Sequence, residues 1–108
     1  MELRGGNMKK CGILVTHNRT NLNTKFEIYS TKKGSPQLVY QSKECDLGHD
    51  EIVDLSSYLS DGESFYVNSH CSNGIDSSSC ELLYSASSTE LIQCVVRGDF
   101  NDAQVEIQ

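Results

Sequence analysis

The sequence predicts an all-β protein, an antiparallel β-sandwich of the Greek-key or jelly-roll type with about eight short strands. Short segments in which apolar and polar residues alternate follow one another along the chain, starting every 10–17 residues. Clusters of Gly, Asn, Asp, Ser and Pro separate these segments, as expected for turns. Amphipathic helical periodicity is nearly absent. A small β-barrel is the alternative arrangement of the same strands.

The first four predicted strands are Cys11–His17, Thr24–Thr31, Gln37–Ser42 and Asp50–Leu55. In the first strand, the residues expected on one face are Cys11, Ile13, Val15 and His17. The second brings Phe26 and Ile28 together by the same alternation, and the third follows the same pattern. The fourth is ambiguous, because Ile52, Val53 and Leu55 do not alternate cleanly. Residues 55–60 can form one helical turn after it.

The last four predicted strands are Glu63–His70, Cys80–Ala86, Glu90–Arg97 and Ala103–Ile107. Three of them alternate and therefore read as half-buried strands. The segment from Glu90 to Arg97 carries apolar side chains on both faces, which predicts a strand in the middle of a sheet.

A hairpin is expected between the strands that contain Cys71 and Cys80. If these cysteines face each other, paired positions sum to 151, and Val67 then faces Tyr84 on a common apolar face. Residues 72–79 would form an exposed loop of eight residues. A Cys71–Cys80 disulfide would clamp this loop, and the alternative is two thiols packed as small apolar groups.

The charges are strongly divided along the chain. Residues 1–43 carry eight bases and two acids (+6), whereas residues 44–108 carry one base and thirteen acids (−12), which gives the net charge of −6. An acidic surface favours a basic protein partner and speeds encounter with it. The net negative charge argues against nucleic-acid binding. Two oppositely charged segments also allow head-to-tail self-association.

The length of 108 residues indicates one domain, expected over residues 9–108, with residues 1–8 as a flexible or vector-derived N-terminus. No stretch approaches the roughly 20 apolar residues of a membrane helix. Five cysteines leave at least one thiol free or paired between chains, and they favour secretion slightly over the cytoplasm without deciding it. Asn18-Arg19-Thr20 forms a glycosylation sequon in a predicted turn, where it would be accessible.

We predict a non-enzymatic binding module that recognises a protein partner through polar loops and an acidic surface. No nucleophile elbow or phosphate-binding glycine loop occurs, so no enzyme is expected. The candidate binding residues are Asn73, Asp76, Ser77, Asp61, Glu63 and Tyr58. The alternative is a lectin-like sandwich that binds a glycan or uses calcium to bind its ligand; the candidate calcium ligands are Asp46, Asp50 and Asp54, and no other cofactor is expected.

Arg97-Gly98-Asp99 spells the tripeptide found in integrin-binding ligands and lies where a strand is predicted to meet a turn. A flexible turn would present both charges to a partner. An ordinary structural turn is the alternative, since Gly-Asp is common turn chemistry.

Overall fold

The structure is a computed structural model that describes residues 8–32, 34–98 and 102–108. It contains two β-sheets packed into a sandwich, which confirms the predicted all-β fold. Most of the predicted N-terminal extension, residues 1–7, lies outside the described residues. A 3₁₀ turn at Leu55–Ser57 is the one helical element in the described ranges, and it falls within the predicted helical turn. No helix in those ranges is long and apolar enough to cross a membrane.

Within the described residues, ten strands make up the two sheets. They are β1 (Lys10–Cys11), β2 (Ile13–Arg19), β3 (Thr24–Ser30), β4 (Gln37–Gln41), β5 (Asp50–Asp54), β6 (Ser64–Cys71), β7 (Asp76–Ser78), β8 (Leu82–Tyr84), β9 (Leu91–Arg97) and β10 (Gln104–Ile107). Sheet A has the order β1-β8-β6-β3-β4, and β7 pairs with β6 beyond the end of β8. Sheet B has the order β10-β9-β2-β5.

Most strand pairs are antiparallel, but two are parallel. β2 pairs in parallel with β9, and β1 pairs in parallel with β8. The apolar strand β9 lies between β10 and β2, which confirms its predicted central position. Residues near the start and end of the chain are therefore neighbours in the middle of sheet B.

The core lies between the two sheets and is built from alternate residues of the long strands. Its largest fully buried apolar side chains are Phe26, Phe65, Leu14, Ile28, Leu55, Leu82, Val67 and Val96. Burial of apolar surface contributes roughly 25 cal/mol per Å² to folding, so these side chains are the main stabilising contribution.

The first predicted strand is divided at Gly12, and its expected inner face is wrong. Cys11 pairs in sheet A, whereas Ile13 begins the strand in sheet B and is 39% exposed. In β2 the inward side chains are Leu14, Thr16 and Asn18. The chain changes sheets at Gly12, where the backbone amide donates to the carbonyl of Glu90 at 3.0 Å. A switch between sheets shifts the alternation by one residue, so a single continuous strand was the wrong prediction.

The predicted β6 hairpin has the right inner face but the wrong register. Phe65 pairs with Leu82, so the numbers of paired residues sum to 147 rather than to the predicted 151. The register is therefore shifted by four residues. Because an even shift leaves each side chain on its predicted face, Val67 and Tyr84 are both buried as expected. Residues 76–78 of the predicted loop form β7, which pairs with β6. The connection between β6 and β7 is then a short turn in which the Cys71 amide donates to the Ile75 carbonyl at 2.9 Å.

The expected Cys71–Cys80 disulfide is not formed, and all five cysteines are free thiols. Cys71 is completely buried in β6, while Cys80 lies in the exposed segment between β7 and β8. Burial also raises the pKa of the Cys11 thiol to about 11 and that of the Cys94 thiol to about 12. Such thiols carry almost no thiolate at neutral pH and react slowly.

Asn18 is a buried structural residue and not an accessible glycosylation site. It lies in β2 with no exposed surface. Its Nδ2 donates to the carbonyls of Leu22 at 2.8 Å and Cys45 at 2.9 Å, and its Oδ1 accepts from the amide of Thr20 at 3.0 Å. The polar side chain is satisfied on both sides, as a buried amide must be.

Replacement of Gly12 by alanine is expected to destabilise the fold, because the new Cβ would lie 2.2 Å from the carbonyl oxygen of Ser88. The backbone must move, at a cost of about 2 kcal/mol or more in the free energy of unfolding measured with urea. Gly74→Ala is the control: its φ is +90° with nothing within 4 Å, so only conformational strain of about 1 kcal/mol applies. Equal losses in the two variants would contradict the close approach at Gly12.

Asn18→Ala is expected to lower the free energy of unfolding by about 2 kcal/mol, since the buried Thr20 amide loses its acceptor and the carbonyls of Leu22 and Cys45 each lose one of their donors. Asn23→Ala, at an exposed asparagine in the same connection, provides the matched control and should change stability by less than about 0.5 kcal/mol. Urea unfolding of both variants tests this, and a stable Asn18→Ala protein would refute the assignment.

The thiol arrangement predicts one fast-reacting cysteine. Ellman's reagent should modify Cys80 within minutes in the native protein without reductant, and all five thiols after unfolding. Cys80→Ser should remove the fast phase. If Cys71 and Cys80 form a disulfide instead, the unfolded protein will release only three thiols.

Candidate functional site

The predicted binding residues lie in two groups at opposite ends of sheet A. Asn73 is in the turn that follows β6, whereas Asp61 and Glu63 immediately precede β6. The eight residues of β6 separate the groups by roughly 24 Å, at about 3.4 Å per residue. One small ligand cannot contact both groups, so they do not form a single site.

The acids at the start of β6 hold loops together. The Asp61 carboxylate accepts from the amide of Ala86 at 2.8 Å. The Glu63 carboxylate accepts from the amide of Ser60 at 2.7 Å and also from the Ser30 hydroxyl. Each carboxylate therefore has an identified structural role.

Tyr58 and Asn73 have local partners as well. Tyr58 follows the 3₁₀ turn, is 41% exposed and meets the ring of Tyr40 edge to face at 5.0 Å between centroids. The side chain of Asn73 accepts from the amide of Ile75 at 3.1 Å, which stabilises the turn after β6. The Tyr58 ring retains exposed surface for a ligand, whereas this hydrogen bond gives Asn73 a structural role.

Asp76 and Ser77 lie in β7 and not in a loop. The Asp76 carboxylate is 2.7 Å from Nδ1 of His70. The Ser77 hydroxyl accepts from the amide of Val105 at 3.0 Å and so joins β7 of sheet A to β10 of sheet B. Asp76 belongs to the outer face of sheet A, while Ser77 ties the two sheets together.

The three candidate calcium ligands are not brought together. Asp50 and Asp54 begin and end β5, roughly 13 Å apart along the strand. Asp46 lies in the preceding loop, where its carbonyl accepts from the amide of His49 at 3.1 Å. No group of three or more His, Cys, Asp or Glu in the described ranges has the arrangement of a metal site.

Instead, Asp50 and Asp54 lie on either side of an exposed isoleucine. Ile52 is 74% exposed on the outer face of sheet B, and alternation places both acids on the same face. β5 is an edge strand, and no strand pairs with its other side in the part of the chain that the structure describes. The exposure of Ile52 could be predicted from the sequence. In a strand, residues two positions apart lie on the same face, and the aspartates two residues before and after Ile52 indicate that this face is exposed to solvent.

Apolar side chains also lie beside Ile52 on the outer face of the neighbouring strands. Val15, which pairs with Ile52, is only 9% exposed, while Ile13, 39% exposed, pairs with Leu91, 49% exposed. We call these four residues, Ile13, Val15, Ile52 and Leu91, the apolar strip. Exposed apolar side chains rimmed by charges are typical of interaction sites.

The acids beside the apolar strip are held in their charged form. Hydrogen bonds from His17 and Arg19 lower the pKa of Asp50 below its usual range. The pKa of Asp54 is lowered because its carboxylate accepts from the hydroxyl of Ser56 at 2.7 Å and from the amide of the same residue at 3.1 Å. Both groups therefore remain negative well below neutral pH.

The outer face of sheet A carries a network of polar side chains beside a pair of aromatic rings. The rings of Tyr29 and Tyr66 stack with centroids 5.4 Å apart. Next to them, Nδ2 of Asn68 donates to Glu27 at 3.0 Å and to Asp76 at 3.3 Å. The sequence did not reveal this face, because it depends on the register of β3 against β6.

The tripeptide Arg97-Gly98-Asp99 is only partly described. Arg97 ends β9 on the outer face of sheet B, and its Nε is 3.3 Å from the carboxylate of Glu106. Gly98 adopts a φ of +125°, and a Cβ there would lie 2.0 Å from the carbonyl oxygen of Asp102. Asp99 lies outside the described residues. Presentation of both charges to a partner therefore stays a prediction.

Comparisons with known proteins give the fold but no family. No protein family and no curated protein matches the chain. A solved structure of pneumolysin, at 1.98 Å resolution, is similar over 90% of this chain with a TM-score of 0.53 and 12% sequence identity. The match covers 23% of the pneumolysin chain. At this identity the similarity supports a related β fold alone.

Proposed function

We propose that the protein is a non-enzymatic binding module that recognises a basic, extended segment of a partner protein along β5. The observation that carries this proposal is Ile52, which is 74% exposed at the centre of an edge strand between two ionised aspartates. An isolated exposed isoleucine would need no explanation, but this one belongs to the four-residue apolar strip.

The edge of β5 offers backbone groups to an incoming strand. An extended peptide can add to a sheet edge through main-chain hydrogen bonds, with its alternate side chains giving specificity. On the outer face of β5, Ile52 would contact an apolar side chain, and Asp50 and Asp54 would pair with lysine or arginine. This combination favours a peptide that carries a basic, an apolar and a basic residue at every second position, so that all three side chains lie on the same face.

The same aspartates disfavour pairing between two copies of β5. Two antiparallel β5 strands centred on Ile52 would bring Asp50 of one copy opposite Asp54 of the other. Like charges directly opposite are destabilising, and charged residues on edge strands commonly prevent such self-pairing. The charges thus favour a basic partner over the protein itself at this edge.

The peptide acetyl-Lys-Thr-Val-Thr-Lys-amide, with Lys, Val and Lys on one face of an extended chain, tests this proposal by titration into the ¹⁵N-labelled protein. We expect shifts in the β5 amides and a dissociation constant at least about tenfold higher for Ile52→Ser, because burying an isoleucine contributes about 1.5–3 kcal/mol. Raising the salt concentration from about 0.05 M to about 0.5 M should also weaken binding, through screening.

Leu47→Ser is the matched control, since Leu47 is 61% exposed but lies in the loop before β5. It should leave the dissociation constant unchanged. A peptide with glutamate in place of lysine should not bind. Equal weakening in Ile52→Ser and Leu47→Ser, binding that does not respond to salt, or no binding at all would overturn the proposal.

Glycan binding is a second candidate, favoured by the outer face of sheet A. The stacked rings of Tyr29 and Tyr66 lie beside hydrogen-bonding groups of Glu27 and Asn68 that are already oriented. Aromatic rings with adjacent polar groups suit a sugar, whose faces are partly apolar and whose hydroxyls need partners. The proposed site uses no metal.

A glycan-array screen of the wild type and of Tyr66→Ala, with and without chelator, tests this second candidate. We expect signals that persist with chelator and disappear in Tyr66→Ala. Tyr58→Ala is the control, because Tyr58 lies away from this face and should retain the signals. An empty array for the wild type would rule out this candidate.

A further inference from the structure

Two arginines from distant parts of the sequence lie side by side on the outer face of sheet B. The parallel register of β2 and β9 pairs Arg19 directly with Arg97. Paired strands are about 4.8 Å apart, and like charges directly opposite destabilise a sheet. Arg97 is also the only base after Lys43. Arg97, the one lysine or arginine of the acidic segment 44–108, therefore lies beside Arg19 of the basic segment 1–43.

The arginines line a shallow depression with a volume of about 170 Å³. Its lining residues are His17, Arg19, Gln93, Val95, Arg97 and Gln108. Val95 is only 4% exposed, and the His17 side chain is 13% exposed. Apart from Val95, every lining side chain carries an N–H group that can donate a hydrogen bond.

Two acids hold the guanidinium groups from the outer strands. Asp50 on β5 is 3.0 Å from Nη1 of Arg19, and Glu106 on β10 is 3.3 Å from Nε of Arg97. The formal charge of these four groups is zero, two positive and two negative. All four side chains are more than a third exposed, so both ion pairs are weakened by solvent and can yield to a competing anion.

We propose that this depression binds a small oxyanion, the carboxylate or phosphate group of a small molecule. A planar guanidinium can hold two oxygens of such a group at once, and two adjacent arginines relieve their mutual repulsion when an anion lies between them. The side-chain amides of Gln93 and Gln108 supply further donors around it.

His17 forms a fixed wall of the depression and orients Gln93. Its Nδ1 is 2.8 Å from Asp50, and its Nε2 is 3.0 Å from Oε1 of Gln93. The ring is therefore fixed by contacts on both sides. A fixed group loses less conformational entropy when a ligand binds than a mobile one.

The depression is shallow and open to solvent, and its volume of about 170 Å³ leaves room for inorganic phosphate or a small dicarboxylic acid. The inference does not depend on peptide binding at β5, because Arg97 lies on β9, two strands from β5 in the sheet.

Amide chemical shifts of the ¹⁵N-labelled protein test the proposal during separate titrations with inorganic phosphate and with succinate, at constant ionic strength maintained with sodium chloride. We expect saturable shifts at Arg19, Val95 and Arg97, with a dissociation constant in the millimolar range. The two titrations distinguish a phosphate site from a carboxylate site, and saturation by either ligand supports the proposal.

Arg97→Gln should raise the dissociation constant at least tenfold, and Arg97→Lys, which retains the charge but loses the planar fork, should also weaken binding. Lys10→Gln is the matched control, because it removes one positive charge from sheet A and should change nothing. Binding of acetyl-Lys-Thr-Val-Thr-Lys-amide should be unaffected by Arg97→Gln. No saturable shift with either anion, or equal affinity in Arg97→Gln and the wild type, would overturn the proposal.

Discussion

The side-chain amide of Asn18 joins segments that are far apart in the sequence, and the arrangement of sheet B depends on it. It binds the turn at Thr20 and Leu22 on one side and the segment at Cys45 on the other. The backbone of Asn18 also bonds to Gly48 and His49, just before β5 begins. One buried residue therefore fixes the end of β2, the connection to sheet A and the start of β5. Because the Asn18 side chain is completely buried, the loss of its hydrogen bonds weakens several segments at once.

The two surfaces of the outer face of sheet B follow from this anchoring. With Asn18 inward, strand alternation turns Ile13, Val15, His17 and Arg19 outward. The parallel register with β9 then aligns apolar residues with apolar residues at one end of the face and arginine with arginine at the other. The apolar strip and the arginine depression are thus opposite ends of the same two strands, and Asp50 lies where they meet.

The sequence predicts the fold class and the positions of most strands, because alternation and turn residues are local signals. β3, β4, β6 and β9 lie close to their predicted bounds. The division at Gly12 was missed because a strand that changes sheets looks continuous in an apolar pattern. β7 was missed because Asp76, Ser77 and Ser78 are polar, and they form a strand only through pairing with β6. Asn18 resembled a turn residue because asparagine is usually exposed.

The candidate sites were less accessible to sequence reasoning, for a physical reason. The exposure of Ile52 could be inferred from its flanking aspartates, but the adjacency of Arg19 and Arg97 depends on a pairing between strands near opposite ends of the chain. Local patterns contain no information about which distant strands meet. The predicted loop residues were chosen for polarity, and several of them serve internal hydrogen bonds instead.

The parallel contact between β2 and β9 also constrains how the protein is made. Residue 13 meets residue 91, so the centre of sheet B cannot assemble until residues 91–97 have left the ribosome. Bringing the two strands together costs conformational entropy before their contacts form and stabilise the sheet. Domains with many such non-local contacts fold on the millisecond-to-second timescale. During that interval Leu14 and Val15 remain without their neighbours, and the nascent chain has to be protected from aggregation at its own N-terminal strand.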